Sequence, residues 1–209
     1  QVHYSEKGSL TPDFGKVEFS EVKGLVTGLC TLDSARADTV FLRATAKAYD
    51  EAFISVEAET VISDTNDTFI LRAKVQGFRF SEFNRMTEDL LLARATAGTI
   101  GGVDFTMRAG RVRAVGRVDM EYDRMKIELL KKDRSGEPRR FLTGLANLVV
   151  LERNLRSDPD FRHGDFTVDR LKERSIFKYV WMGLREGMII TVLPGFADDL
   201  RQAQQAGAK

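Results

Sequence analysis

Few side chains in this sequence have the types and spacing that catalysis requires. One carboxylate pair, Asp158 and Asp160, flanks a proline, and a second consists of the neighbours Asp198 and Asp199. Carboxylates this close in sequence are typical of solvated loops rather than of a general acid–base pair. The chain also has no Gly-x-Ser-x-Gly elbow and no His-Glu-x-x-His motif. The sequence therefore predicts no catalytic residue, and we expect that the protein is not an enzyme.

The cysteine, histidine and glycine positions predict neither a metal centre nor a cofactor. Cys30 is the single cysteine, so an internal disulfide and a zinc–thiolate set are both excluded. His3 and His163 are far apart and have no cysteine or carboxylate at ligand spacing. The glycines of residues 98–102 lie in a strand pattern that no helix follows, unlike those of a phosphate-binding loop.

Charge is unevenly distributed along a chain whose formal net charge is only +1. Residues 1–70 carry −6 and residues 71–209 carry +7. The densest basic stretch, residues 108–140, could meet the phosphate groups of lipid or nucleic acid, or it could be an ordinary solvated face. It ends in a highly charged loop at residues 131–140 that could dock a membrane surface. The candidate residues for such contact are Lys131, Lys132, Arg139 and Arg140. Because the whole chain has no polyanion-binding signature, we expect no nucleic-acid partner.

The elements that position these residues are mainly β-strands. Polar and apolar side chains alternate along long segments, which gives each strand one apolar and one charged face. Strand patterns cover residues 40–48, 53–62, 69–77, 96–107, 111–122, 125–132 and 164–170. Residues 14–32 predict two further short strands with turns at glycines. Short turns, including one at Asp123 and Arg124, join neighbouring strands, so the pattern predicts an antiparallel meander.

Two helices are predicted among the strands, giving a mainly β protein with minor α. Ser81 and an apolar stripe predict an inserted helix over about residues 81–92, and Ser175 begins a late amphipathic helix over about residues 175–188. Residues 141–150 are either a helix or a buried strand. We expect one β-rich domain over residues 1–195, followed by a short helix or tail at residues 196–209.

Small residues line the apolar side of the strands and leave room above the sheet. They are Ala44, Ala46, Ala48, Ala58, Ala73, Ala114 and Gly116. Because protein interiors are close-packed, a helix, a second sheet or an apolar ligand must fill this room. Either the two predicted helices fill it, or it forms a trough for acyl chains. The lipid-facing candidates are Val40, Leu42, Ile54, Val56, Phe69, Leu71, Val112, Val118 and Met120.

A set of aromatic, glycine and strand positions in the C-terminal two thirds of the chain has a distinctive order. These positions are Gly77, Phe78, Phe83, Asn84, residues 98–105, Val115, Gly116, Glu121, Tyr122, Asp123, residues 126–132, Phe177, Lys178, Tyr179, Val180, Trp181 and Gly187. In this order the chain resembles the C-terminal region of AsmA-like (AsmA/TamB-type) bacterial cell-envelope proteins, in their Bacteroidetes-type form.

The resemblance implies a curled antiparallel meander sheet whose apolar inner face carries phospholipid tails. It also implies a periplasmic location, in an inner-membrane-anchored protein that contributes to outer-membrane biogenesis and whose anchor lies outside this chain. The expected function is therefore a non-enzymatic module that binds or transfers phospholipid, with the membrane surface or other envelope proteins as further partners. The alternative is a structural or protein-interaction domain that docks a partner or a membrane through the basic loop. The sequence does not predict the oligomeric state.

Overall fold

The computed structural model describes residues 1–7, 14–29, 39–91, 93–129 and 151–193. Within these ranges eight strands form one open antiparallel sheet, in which each strand pairs with the next in chain order. The strands are β1 (Val2–Lys7), β2 (Phe14–Thr27), β3 (Thr39–Ala48), β4 (Ala52–Val61), β5 (Phe69–Arg79), β6 (Ala93–Ala109), β7 (Arg113–Leu129) and β8 (Gly164–Asp169). The predicted mainly β fold with a meander sheet is therefore confirmed.

The inserted helix follows β5, as predicted, but it begins differently. A 3-10 turn (Phe80–Phe83) leads into helix α1 (Asn84–Leu91). Ser81 is not the N-cap: the residue before the 3-10 turn is Arg79, and the Ser81 carbonyl accepts a hydrogen bond from the Asn84 N–H. This bond spans three residues, which makes the first turn tighter than an α-helix.

The late helix, α2 (Ile176–Val192), begins where the sequence predicts and ends later. The Ser175 hydroxyl caps it by accepting a hydrogen bond from the Lys178 N–H at 3.3 Å. Gly187 does not end the helix, because this glycine lies at a close helix–sheet contact and the helical pattern continues to Val192. Among the described helices, none has the length and hydropathy of a membrane-spanning segment.

The strand register places most of the predicted apolar side chains of β2 to β8 on one face, which we call the inner face, whereas Leu25 and Phe53 pair with Arg43 and Lys47 on the other face. One continuous row across the sheet pairs Val40, Thr60, Phe69, Ala109, Ala114 and Val168 in successive strands. A neighbouring row pairs Val26, Leu42, Ala58, Leu71 and Met107. Because side chains alternate along a strand, the intervening positions of β3 to β8, which carry most of the charged residues, lie on the opposite, outer face.

Two predicted turns are wrong because backbone irregularities bend the strands without ending them. The expected turn at Asp123 lies inside β7, where Arg124 has a left-handed φ of 51°. Gly98 faces this bulge with a φ of +117°, and a Cβ there would be only 2.8 Å from the Met125 Cα. Residues 14–27 likewise form one strand, with an irregular register between Ser20 and Lys23 rather than a turn.

Helix α2 packs unusually close to the sheet because glycines on both sides remove the side chains between them. A Cβ on Gly183 would meet the Phe166 ring at 2.6 Å, and a Cβ on Gly187 would meet the Val118 Cβ at 2.8 Å. A Cβ on Gly164 in β8 would lie 2.7 Å from the Gly187 carbonyl carbon. The helix backbone therefore rests directly on β7 and β8.

The side of α2 that faces away from this glycine contact reaches the first strands, so the sheet is curled around the helix. Trp181 packs against a second apolar cluster that includes Val17, Ala48, Ala52 and Met86. Near the start of the helix, the Phe177 ring lies 6.2 Å from the ring of Tyr4 in β1. Helix α2 thus lies on the seam between the first and last strands.

Asn154 is a buried polar residue whose hydrogen bonds attach the segment before β8 to the centre of β7. Its Nδ2 donates to the Met120 and Arg162 carbonyls at 2.8 and 3.1 Å, and its Oδ1 accepts from the Arg162 N–H at 2.7 Å. Its backbone also exchanges two hydrogen bonds with Tyr122.

We expect Asn154→Ala to lower the free energy of unfolding by about 2–4 kcal/mol, because it leaves buried backbone groups without partners. Urea denaturation measures this loss. The matched control is Asn66→Ala, in an exposed turn, which we expect to stay within about 0.5 kcal/mol of the wild type. Equal stability of the two variants would contradict the anchoring role of Asn154.

Candidate ligand-binding trough

The two flanks of the inner face are covered by the protein's own helices. Helix α1 lies against β2 and β6, and α2 lies against β6, β7 and β8. The large core cluster under α2 contains Val118, Met120, Tyr122 and Phe166, and β5 contributes Phe69 to its edge. Burial raises the pKa of the Tyr122 hydroxyl to about 12, and this hydroxyl donates to the Thr191 carbonyl at 3.1 Å. Over these flanks the helices occupy the room above the sheet.

The centre of the inner face, on β3 and β4 with the adjoining end of β2, is packed differently. Its side chains belong to neither apolar cluster of the described residues, and each remains partly or largely exposed. We call this region the trough. Its residues are Val26, Val40, Leu42, Ala44, Val56 and Ala58. Three strands about 4.8 Å apart form its floor, so it is wide enough to hold an extended hydrocarbon chain.

The alanines of the sheet explain where the face is filled and where it is open. Ala48 and Ala52 are buried at the end of the β3–β4 hairpin, in the cluster that includes Met86 of α1 and Trp181 of α2. Ala44 and Ala58 lie further along the same two strands, beyond this cluster. Small side chains thus admit a helix at one end of β3 and β4, whereas in the middle of these strands they remain partly exposed.

Of the nine lipid-facing candidates, eight lie on inner-face positions of strands, but they are covered to different degrees. Val40, Leu42 and Val56 line the trough, whereas Ile54 and the β5 residues Phe69 and Leu71 are partly buried at its borders.

Val118 and Met120 are 0% and 2% exposed beneath α2, so they face the helix and not a ligand. Val112 lies in the β6–β7 turn and is 64% exposed. The four basic candidates, Lys131, Lys132, Arg139 and Arg140, lie outside the described residues, as do residues 141–150 and the predicted tail at residues 196–209.

Arg185 is a cation on the inner side of the fold that sequence reasoning missed. It follows Trp181 by one helical turn and therefore shares its face of α2, away from the Gly183 and Gly187 contact. Its Nε is buried and has no hydrogen-bond partner among the described residues. A buried donor without a partner is unfavourable and would be satisfied by an anionic group. The only sequence signal was a pair of charged residues, Arg185 and Glu186, in the middle of an amphipathic helix.

The outer face is charged, but its charges are largely paired between strands. Arg117 and Asp165 form a two-pronged pair at 2.6 and 3.0 Å, and this bond raises the pKa of the guanidinium and lowers that of the carboxyl. Further pairs join Arg43 to Glu57, Arg72 to Glu59, Lys74 to Asp104 and Arg113 to Asp169. Exposed pairs contribute little stability, but they leave this face with nearly balanced charge.

Asp158, His3 and His163 each pair with one other side chain within 4.0 Å. Asp158 accepts three hydrogen bonds from Arg153 at 2.8, 2.9 and 3.1 Å, beside a polar cavity of about 360 Å³. His163 lies 2.7 Å from Asp119 across neighbouring segments, and His3 lies 4.0 Å from a glutamate. Within the described ranges, no three metal-ligating side chains come together.

Comparison with known proteins gives no match to this chain. No family model, no curated protein and no solved structure matches it.

Proposed function

We propose that this chain is a non-enzymatic module that binds the acyl chains of phospholipids in the trough. The observation that carries the proposal is a strip of partly exposed aliphatic side chains, centred on Leu42 and Val56, between two helix-covered flanks. An exposed apolar strip of this kind is a recurrent feature of ligand grooves. Each buried methylene group contributes about 0.8 kcal/mol, so about ten of them would supply near 8 kcal/mol before ordering costs.

Arg185 supports an anionic amphiphile over a neutral hydrocarbon as the ligand. Its buried, unpartnered Nε lies on the same helix face as Trp181, which packs against the apolar cluster at the end of the trough. A guanidinium donates paired hydrogen bonds to a phosphate in a fixed geometry. A phospholipid with its acyl chain on β3 and β4 and its phosphate at Arg185 satisfies both features.

The cellular setting of this proposal comes from the sequence resemblance described above. We propose a periplasmic module of a membrane-anchored envelope protein, which passes phospholipid along its inner face during outer-membrane biogenesis. The outer face of the sheet, with its paired charges, is suited to contact with water. The trough is therefore the part of the protein that this proposal assigns to lipid.

The single tryptophan provides a direct test, because Trp181 packs at the end of the trough. We expect a lysophospholipid with a brominated acyl chain to quench Trp181 fluorescence in a saturable titration. The same lipid without bromine should compete and restore the signal. A titration without saturable quenching would refute binding in the trough.

The head-group assignment predicts the behaviour of Arg185→Met in the same titration. Because a charge-assisted hydrogen bond contributes about 1.5–3 kcal/mol, we expect the dissociation constant of an anionic lysophospholipid to rise about 10-fold or more. The matched control is Arg108→Met, which removes an exposed cation from the outer face of β6. This variant should leave the titration unchanged. If Arg185→Met and Arg108→Met bind equally well, Arg185 does not contact the head group.

A further inference from the structure

Hydrogen bonds connect three loops at the end of the sheet where the trough begins. The Arg111 N–H donates to the Asn66 carbonyl and the Arg170 N–H donates to the Val112 carbonyl, both at 2.8 Å. The Tyr179 hydroxyl of α2 donates to the Gly110 carbonyl at 3.3 Å. These bonds join the β4–β5 turn, the β6–β7 turn and the segment between β8 and α2 into one surface.

This surface exposes large apolar side chains that point to an interaction. Val112 is 64% exposed, Leu171 46%, Ile176 44% and Phe177 69%. They lie on two of the connected loops and on the first turn of α2. Single exposed apolar residues are common. Four of them on one surface, whose loops are joined by hydrogen bonds, form a patch of the kind that marks a docking site.

The same loops are basic. Residues 170–178 contain four cations and one anion, Glu173. Lys172 and Arg174 are exposed and have no ion-pair partner within the part of the chain that the structure describes. By contrast, Arg111 and Arg113 are paired with Asp67 and Asp169. The free positive charge therefore lies next to Leu171, Ile176 and Phe177.

We infer that this surface docks on a membrane that contains anionic lipids. We call it the docking rim, formed by Val112, Leu171, Lys172, Arg174, Ile176 and Phe177. Apolar side chains that enter the interface, together with cations that meet lipid phosphates, are the combination that surface-binding proteins use. A membrane accounts for both the apolar and the basic residues of the rim, whereas an acidic protein partner would account only for the basic ones.

The docking rim also lies at the mouth of the trough. The row of paired residues that begins with Val40 and Thr60 runs through Ala109 and Ala114 to Val168, and the rim residues follow directly in the adjoining loops. A membrane at the rim would therefore meet the end of the trough. Membrane docking by the rim does not depend on the trough. The contact between the membrane and the trough, by contrast, rests on the proposed lipid function.

Flotation of the full chain with vesicles tests the docking rim. We expect binding to vesicles of phosphatidylcholine with about 30 mol % phosphatidylglycerol, weakened by salt, and little binding to phosphatidylcholine alone. Lys172→Glu with Arg174→Glu should weaken binding at least about 30-fold, since each cation near an anionic surface contributes about a factor of 5. Ile176→Ser with Phe177→Ser should also weaken it, at unchanged charge.

The matched control is Lys23→Glu with Lys126→Glu, which makes the same charge change at exposed strand positions outside the rim. This control should keep binding within about 3-fold of the wild type, because its lysines do not approach the membrane. Equal losses in the rim and control variants, or a wild type that does not bind, would overturn the inference. So would a loss on reversing Lys131 and Lys132 while the rim variant binds normally.

The two proposals fail separately in these experiments. A protein that floats with anionic vesicles but shows no saturable quenching of Trp181 has the docking rim without the lipid trough. A protein whose Trp181 is quenched by brominated lipid but which does not float has the trough without the rim.

Discussion

Gly164→Ala is expected to separate α2 from the sheet and to destabilise the protein by about 3 kcal/mol or more. The added Cβ would lie 2.7 Å from the carbonyl carbon and 2.9 Å from the Cα of Gly187. Both obstacles are backbone atoms, so no side-chain rotation relieves the overlap. The helix must move away, and the cluster that its Tyr179 forms with Phe166 and Val118 of the sheet is disrupted. Thermal and urea unfolding measure the loss.

Gly24→Ala is the matched control, because its Cβ would meet only atoms at 3.8 Å or more on β3. Alanine in a strand restricts the unfolded chain more than glycine does, so this variant should match or exceed wild-type stability. Gly187→Ala should be destabilising as well, because its Cβ would lie 2.8 Å from the Val118 Cβ and 3.0 Å from the Gly164 carbonyl oxygen. If Gly164→Ala is as stable as Gly24→Ala, α2 does not rest on β8 as described.

Ala58→Trp is expected to abolish acyl-chain binding while the fold remains intact. Ala58 lies on the inner face between Leu42 and Leu71, in the middle of the trough. An indole at this position covers the apolar side chains that the ligand is proposed to contact, and aromatic residues are favoured in strands. We expect at least a 100-fold rise in the dissociation constant for a lysophospholipid, since about 3 kcal/mol or more of apolar contact is displaced.

Glu57→Trp provides the control for Ala58→Trp. This residue adjoins Ala58 in β4, but it lies on the exposed outer face and pairs with Arg43 at 3.5 Å. The substitution loses an ion pair worth less than about 1 kcal/mol and should not change lipid binding. Because each variant adds a second tryptophan, binding is measured with radiolabelled lipid. Equal affinity of the two variants would exclude the trough as the binding site.

The meander could be predicted from sequence because it depends on short-range features. The alternation in residues 40–48 and 53–62, with a turn between them, sets the β3–β4 hairpin to within a residue or two of its observed bounds. The start of α2 was equally clear, since Ser175 precedes an apolar stripe and its hydroxyl does cap the helix. Such signals need no knowledge of distant residues.

The bulges were missed because their cause lies on another strand. Asp123 and Arg124 have turn-forming character, and Arg124 does adopt a left-handed φ. The chain nevertheless continues as β7, because Gly98 on β6 has no side chain and lets the bulged backbone approach. A turn and a bulge use similar local conformations, so only the cross-strand partner distinguishes them.

The coverage of the inner face could not be predicted for a related reason. Val118 and Leu42 occupy equivalent places in their strand patterns, yet α2 covers the first and not the second. The difference arises from Gly183 and Gly187, which bring the helix onto β7 and β8, so that α2 meets β3 and β4 only at their hairpin end, through Trp181. The orphan Nε of Arg185 and the exposure of Phe177 follow from this same placement.

Native mass spectrometry of the protein purified from cells, without added lipid or detergent, tests the lipid-binding proposal most directly. We expect an added mass equal to one phospholipid on a substantial fraction of the molecules, and identification of that lipid after dissociation. We further expect that Ala58→Trp loses this adduct and that Glu57→Trp retains it. A wild-type protein that carries no lipid and takes up none from mixed micelles would show that the trough does not bind phospholipid.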